Sequence, residues 1–198
     1  MSHPTVVRDK IDGGYQQFDL FSRLLEDRVI YIDTDFNDYM ASLVCAQLLV
    51  LSNKSEEEIK IHINSPGGSV ISGLAIYDTM QMIPNTIKTV AIGHACSMGA
   101  YILSAGTKGH RYATPSSRVM IHQVSGGNQG TTLDINIMAK EQNRLNDYLD
   151  ARLAVHCGKT VKQIKKATER DNFMTADEAV KFGIIDKVLS PDNSSAWK

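Results

Sequence analysis

The hydroxyl of Ser97 is the side chain of this sequence best placed to act as a nucleophile, because it follows a predicted strand and opens a predicted helix. The residues after it, Gly99 and Ala100, are small enough for close backbone approach, and the first N–H groups of a helix can hold an oxyanion. However, Ala95 stands where the Gly-x-Ser-x-Gly elbow of α/β-hydrolases has its first glycine. A serine at the start of a helix also commonly serves only as its cap. The local sequence therefore leaves both interpretations of Ser97 open.

A second glycine turn, Asn64-Ser65-Pro66-Gly67-Gly68, precedes another predicted helix. The backbone N–H groups of Gly68 and Met98 would be able to converge on one substrate oxygen, although an ordinary tight turn explains the run equally well. Neither Gly-x-x-x-x-Gly-Lys-Ser/Thr nor Gly-x-Gly-x-x-Gly occurs in the chain. If nucleotide hydrolysis is needed, another chain must supply it.

The strongest candidate for a general base is His122, which ends an apolar strand beside a glycine-containing loop. Taken alone, this position would suit a structural or metal-binding histidine equally well. His94, three residues before Ser97, is the main rival. The remaining histidines have the surroundings of surface or packing residues: His3, His62, His110 and His156.

A histidine base needs a carboxylate that orients it, and three aspartates late in the chain are candidates. Asp171 lies between two predicted helical stretches and is the preferred one. Asp177 is more simply explained as a first-turn carboxylate in a helix that Thr175 caps. Asp186 is the third candidate.

The elements that must position these residues recur as a strand, a short turn and a helix. The predicted elements are, in chain order, strand 29–32, helix 38–51, strand 59–63, a helix from about residue 71 to 82, strand 89–92, the helix at Ser97 and strand 118–122. Repeated strand-then-helix units predict an α/β fold.

From Thr132 to about His156 the sequence has no helix breaker, and apolar residues recur at steps of three and four. This pattern predicts one helix on the order of 35 Å long. Such a helix would project from a domain of this size, and we expect part of it to pack on another subunit.

The composition indicates a single globular domain of 198 residues with a net charge of −1, which gives no electrostatic reason to expect nucleic acid or membrane as a partner. No apolar stretch approaches the roughly 18 residues that span a bilayer, and the first residues lack a signal-peptide core, so we expect a cytoplasmic protein. Cys45, Cys96 and Cys157 lack the spacing of a metal site or a disulfide framework, and we expect free thiols. The segments before residue 20 and after Ser190 look irregular.

Four motifs, in this order and spacing, resemble the ClpP family of serine peptidases, and further similarity runs almost end to end. They are Ile63-Asn64-Ser65-Pro66-Gly67-Gly68, Ala95-Cys96-Ser97-Met98-Gly99-Ala100, Met120-Ile121-His122-Gln123 and Thr168-Glu169-Arg170-Asp171. The resemblance implies a crotonase-like fold of repeated strand-strand-helix units in one domain, residues 1–198. Within it, residues 1–17 would be an N-terminal axial segment, 132–157 a projecting handle helix and 191–198 an irregular tail.

The resemblance also implies two stacked rings of seven identical subunits, into which an AAA+ unfoldase threads unfolded polypeptide, with no cofactor or metal in this chain. It assigns catalysis to Ser97, His122 and Asp171. The remaining implied roles are the oxyanion hole at Gly68 and Met98, substrate binding at Gln123, Val124, Ser125 and Gly126, coupling of assembly to activity at Arg170, and unfoldase docking at Lys60, His62, Met82 and Tyr112.

Several residues depart from the family pattern. Val124 replaces a proline, Cys96 replaces an alanine, and Gly14-Tyr15-Gln16-Gln17 replaces a Gly-Glu-Arg run. Val124 would loosen the substrate loop, and the thiol of Cys96 would expose the nucleophile to oxidants.

The residues expected at the unfoldase docking face also depart from the family pattern. Lys60, His62 and Met82 stand where the family has aromatic residues, whereas Tyr112 keeps an aromatic residue at its position. Strand alternation predicts that Lys60 and His62 point outward, which would make the docking pocket less apolar.

Two other functions are compatible with the sequence. One is a silent or co-assembly-dependent subunit of a mixed ring. The other is an acyl-CoA hydratase or isomerase, because glycine-turn oxyanion holes on the same fold also serve thioesters.

Overall fold

A computed structural model describes residues 6–11 and 14–192 of the chain. The strands are β1 (Val6–Ile11), β2 (Gly14–Asp19), β3 (Val29–Ile32), β4 (Ile59–Ser65), β5 (Ile87–Cys96), β6 (Arg111–Ala113), β7 (Arg118–Ile121), β8 (Asn172–Thr175) and β9 (Lys187–Val188). The helices are α1 (Leu20–Glu26), α2 (Asp38–Lys54), α3 (Val70–Met82), α4 (Met98–Ser104), α5 (Thr132–Cys157), α6 (Val161–Thr168) and α7 (Ala176–Phe182). The α/β class predicted from the sequence is confirmed.

Within the described residues, the main sheet has seven strands in the order β3-β4-β5-β6-β9, with β7 paired to β5 and β8 paired to β7. β3, β4, β5 and β6 run parallel, as strands linked by helical crossovers do. Most of their apolar side chains are buried, including Ile59, Ile61 and Ile63 on β4. This burial explains why these strands are short apolar runs in the sequence.

β5 is longer than predicted, because it continues from Ile92 to Cys96. Its first half pairs with β6, and its second half pairs with β7, where Cys96 lies opposite Met120. Gly93, with φ 81°, lies between the two halves and allows the strand to change partner. The second half of β5 therefore brings Ser97, which follows β5, to the same sheet edge as His122, which follows β7.

The expectation of an irregular start is wrong for the described residues, because β1 and β2 form an antiparallel hairpin from Val6 opposite Asp19 to Ile11 opposite Gly14. Residues 1–5, 12 and 13, which belong to the predicted axial segment, lie outside the described residues, as does His3. At the other end, Pro191 and Asp192 form a short turn, and 193–198 of the predicted tail also lie outside.

The long helix begins at Thr132, as predicted, and ends at Cys157 with Gly158 in a left-handed conformation. Its buried residues, Asp150, Leu153 and Ala154, all lie in the last third. The first half exposes several apolar side chains: Leu133, Ile135, Ile137 and Met138. None of the helices formed by the described residues is both long and apolar enough to cross a membrane.

Candidate active site

Ser97 occupies the turn between β5 and α4 in an unusual backbone conformation, with φ 54° and ψ −120°. Positive φ is uncommon for a residue other than glycine and is found where a site requires strain. The Ser97 side chain makes no capping hydrogen bond to α4, although the residue occupies the N-cap position. The interpretation of Ser97 as a simple helix cap is therefore wrong, and its hydroxyl is directed elsewhere.

The Ser97 hydroxyl lies next to His122, with 2.9 Å between Oγ and Nε2. His122 follows β7, so the pairing of β7 with the end of β5 carries both side chains to one sheet edge. A neutral imidazole with its proton on Nδ1 would accept the hydroxyl proton at Nε2. This is the contact that a nucleophile and its general base require.

Asp171 lies on the far side of the imidazole, with Oδ1 3.3 Å from Nδ1 of His122. It precedes β8, whose antiparallel pairing places Asn172 opposite Ile121. Asp171 therefore lies between a helix and a strand, which corrects the expectation of two flanking helices. The pairing of β8 with β7 brings the carboxylate to the histidine although the two residues are 49 positions apart in sequence.

The other candidate acids have separate contacts. Asp177 lies in the first turn of α7, which Thr175 caps as predicted. Asp186 binds Arg111, with 2.7 Å between Oδ1 and Nη2. Although burial raises the pKa of Asp186, hydrogen bonds and charge from Arg111 together hold it below the ordinary value.

Two glycines bring a second loop against the serine. A Cβ atom on Gly67 would lie 2.5 Å from Cβ of Ser97, and one on Gly68 would lie 2.5 Å from the carbonyl oxygen of Phe36. Both glycines also have positive φ. These positions therefore accept no side chain, and Gly68 lines the same cavity as Met98, Ser97 and His122.

A model of the Clp protease family matches residues 12–192 of this chain of 198 residues. The chain belongs to the Clp protease family. The matched range contains the serine, the histidine, the aspartate and both glycines just described.

The cavity beside Ser97 has a volume of about 70 Å³. Its walls come from α3, α4, β7, the loop after His122, α5 and α6. Sequence reasoning missed the α5 and α6 contribution, which includes Asn146, Asp150 and Thr168. One feature of the sequence could have indicated the contribution of α5. The four-residue step between Asn146 and Asp150 places both on the helix face that also carries Leu149 and Leu153.

The loop after His122 is tied to neighbouring elements at its start. The N–H of Gln123 donates to the Thr168 carbonyl over 2.6 Å, and the N–H of Val124 donates to Oδ1 of Asn146 over 2.9 Å. The proline that the family usually has at position 124 lacks an N–H group and could not make this hydrogen bond. Val124 therefore adds a contact to the loop, whereas the sequence suggested that it would loosen the loop. Ser125 and Gly126 are exposed and follow without regular secondary structure.

Cys96 is half-buried beside the nucleophile. Burial and the charge of Asp171 raise the pKa of its thiol, which keeps it protonated and weakly reactive. All three cysteines are free thiols, as predicted. Within residues 6–11 and 14–192, no three His, Cys, Asp or Glu side chains cluster as metal ligands would.

The residues expected at the docking face differ in exposure. Met82 is 83% exposed, whereas His62 is 7% and Tyr112 8% exposed. The expectation that His62 points outward to solvent is wrong, because the residue is buried and its ring contacts Tyr31 edge-on. Burial and the charges of Lys60 and Lys88 lower the His62 pKa to about 4. Lys60 itself is half-buried.

Proposed function

We propose that this member of the Clp protease family is a serine endopeptidase with Ser97 as nucleophile, His122 as general base and Asp171 as the residue that orients the histidine. The observation that carries the proposal is the 2.9 Å contact between Ser97 Oγ and His122 Nε2 in a strained turn. The 3.3 Å contact between His122 Nδ1 and Asp171 supports the third role. The hydratase alternative needs no such serine, and nothing at this site favours it.

In the proposed reaction, Ser97 Oγ attacks the carbonyl carbon of a peptide bond while His122 Nε2 removes the hydroxyl proton. The N–H groups of Gly68 and Met98 donate hydrogen bonds to the resulting oxyanion. His122 then returns the proton to the amine that leaves, which gives an acyl-enzyme. A water molecule, activated by the same histidine, hydrolyses the ester and restores Ser97.

Substrate would lie in extended form along the loop of Gln123, Val124, Ser125 and Gly126. Gln123 and Val124 already donate their N–H groups within the chain. Pairing would therefore use the exposed segment from Ser125 onward. Main-chain pairing of this kind places little demand on most substrate side chains.

We further propose a crotonase-like fold that assembles as two stacked rings of seven subunits, with the exposed apolar half of α5 as the contact between rings. Burial of these side chains would offset the cost of ordering a projecting helix. Arg170 is exposed beside Asp171, where it would couple ring contact to the site. An AAA+ unfoldase would dock around the exposed Met82 and the half-buried Lys60, with the buried His62 and Tyr112 beneath them.

Unfolded polypeptide would be the substrate, and the cytosol, where thiols stay reduced, would be the location. The chain itself would need no cofactor, since the unfoldase uses the ATP.

The test is incubation of the purified assembly with casein, an unfolded protein, and mass spectrometry of the products. Wild type should yield short peptides, and Ser97→Ala should yield none. Ser116→Ala, which removes an exposed hydroxyl elsewhere, should cleave like wild type. An assembled wild type that leaves casein intact would contradict the peptidase and favour a silent or co-assembly-dependent subunit.

A further inference from the structure

The loop that follows His122 lies along one face of α5, and two amide side chains of that helix hold it there. Val124 donates its N–H to Oδ1 of Asn146 over 2.9 Å. One helical turn earlier, the side-chain amides of Gln142 and Asn128 exchange two hydrogen bonds, of 3.1 and 3.4 Å. α5 therefore anchors the loop at two points, Val124 and Asn128.

The segment between these anchors has little structure of its own. Ser125, Gly126 and Gly127 are exposed and lie outside any helix or strand. Glycine loses more backbone freedom than other residues when a chain is ordered. Gly126 also lies against the Gln142 side chain, because a Cβ atom on this glycine would be 2.9 Å from Nε2. The anchors thus restrict a segment whose sequence favours many conformations.

A second contact fixes the orientation of the Asn146 amide. Its Nδ2 donates to Oδ2 of Asp150 over 3.1 Å, so Oδ1 faces the N–H of Val124. The reversed amide would place an oxygen against the carboxylate and an NH₂ group against the Val124 N–H, and both contacts would be repulsive. Asp150 is 3% exposed and is itself held by the Thr168 hydroxyl over 3.2 Å. A buried carboxylate therefore aims the acceptor that Val124 uses.

The catalytic histidine has supports of its own. His122 follows β7, and its ring contacts Ser97 and Asp171. The next residue, Gln123, is tied through its N–H to the end of α6 and separates the histidine from Val124. Loss of the α5 contacts should therefore disturb the loop from Val124 onward more than it disturbs the three catalytic side chains.

The contact with Asn146 also takes the place of a residue that stiffens related chains. The family usually has proline at position 124, and a proline ring fixes φ without any partner. Valine leaves the backbone freer and supplies the N–H that Asn146 accepts. Val124 and Asn146 therefore act as a pair in this chain.

We propose that Asn146, together with Gln142, is a positioning residue that holds residues 124–128 ready to pair with the backbone of a peptide substrate. Neither side chain touches the scissile bond. With the anchors in place, the substrate binds a loop that is already ordered; without them, binding must also order the loop and is weaker. The inference rests on the proposed peptidase function, because it assumes that substrate pairs with the segment from Ser125 onward.

The test measures KM and kcat separately on an extended fluorogenic peptide. Asn146→Ala should raise KM about five- to tenfold, the effect of leaving one hydrogen-bond donor unpaired, and change kcat by less than about twofold. Asn143→Ala, which makes the same change at an exposed position of α5, should keep the wild-type KM. A fall in kcat with an unchanged KM in Asn146→Ala would overturn the inference.

A double substitution tests whether Asn146 acts through Val124. Val124→Pro removes the N–H that Asn146 accepts, so adding Asn146→Ala to that variant should change KM by less than about twofold. An equal effect of Asn146→Ala with and without Val124→Pro would overturn the inference.

Gln142→Ala removes the other anchor and keeps the proposal testable if Asn146→Ala does not assemble. It should also raise KM, because Asn128 loses its partner on α5. An unchanged KM in Gln142→Ala would overturn the inference.

Fluorophosphonate labelling of Ser97 separates this inference from the proposed function. The probe has no peptide backbone that could pair with the loop, so wild type and Asn146→Ala should be labelled at similar rates. Labelling of wild type, with equal KM values in the two proteins, would overturn the positioning role and leave the peptidase intact. An assembled wild type that is neither labelled nor active would overturn both.

Discussion

Gly67 and Ser97 approach so closely that a Cβ atom on the glycine would lie 2.5 Å from Cβ of the serine and 3.1 Å from its Oγ. Real Cβ contacts are essentially never this short, so the two loops require glycine here. Gly67 also has a φ of 101°, a region that favours glycine. The backbone of one loop thereby fixes the position of the hydroxyl presented by the other.

Gly67→Ala should therefore inactivate the site more than it destabilises the fold. Displacement of Ser97 by about 1 Å should slow peptide hydrolysis by about 100-fold. The control is Gly109→Ala, because Gly109 has a similar φ of 91° but no atom within 4 Å of its added Cβ. Peptidase assays on both folded variants are the measurement. Equal rates would contradict the positioning role of Gly67.

Asp171→Asn should leave assembly intact and lower kcat by about 10² to 10⁴, since an amide would favour the wrong imidazole tautomer. The fall in kcat should be nearer about 10²-fold, because the Asp171 side chain is 61% exposed and water can replace part of its effect on His122. The measurement is kcat on a fluorogenic peptide.

The comparison for Asp171 is Asp177→Asn, which changes an exposed carboxylate on α7 and should act like wild type. If Asp171→Asn retained full kcat, the carboxylate would not orient His122.

Acid should destabilise the protein through His156, whose Nε2 lies 3.1 Å from the Tyr77 hydroxyl. Burial and the charges of Arg111 and Arg152 lower the His156 pKa to about 4 from an ordinary value of 6.5. Between these values the unfolded chain binds the proton and the folded chain does not. The stabilisation is therefore complete above pH 6.5 and is lost as the pH falls toward 4.

The size of this loss should be about 1–2 kcal/mol, because the ring is only partly buried and solvent screening reduces the full effect. The measurement is urea unfolding at fixed protein concentration, at pH 7.5 and at pH 4.5. His156→Gln, which keeps a polar group near Tyr77, should show a smaller difference between the two pH values. If His156→Gln lost as much free energy of unfolding between pH 7.5 and pH 4.5 as wild type, His156 would not be the cause of the acid destabilisation.

The sequence predicted the parallel strands and their helices well, because buried strands are short apolar runs and the long helix has strong periodicity. It missed the hairpin of β1 and β2, because β2 is almost wholly exposed and lacks the apolar alternation that predicts a strand. The dipeptide Asp12-Gly13 between them is nevertheless typical of hairpin connections. It also placed the end of β5 at Ile92, since Gly93 interrupts the apolar run.

The pattern of residues along the sequence could not by itself predict that Ser97, His122 and Asp171 lie close together. Each residue follows or precedes a strand, but their contact depends on β7 pairing with β5 on one side and β8 on the other. The outward prediction for His62 failed for a related reason. Strand alternation identifies which residues share a face and leaves open what covers that face.

The most direct test of the account is mass spectrometry of the assembled chain after reaction with a fluorophosphonate probe, which esterifies activated serines. Wild type should gain one probe on the peptide that contains Ser97, Ser97→Ala should gain none, and His122→Ala should react at least about 100-fold more slowly. An assembled wild type that remains unlabelled, or is labelled at another serine, would contradict the assignment of Ser97 as the nucleophile.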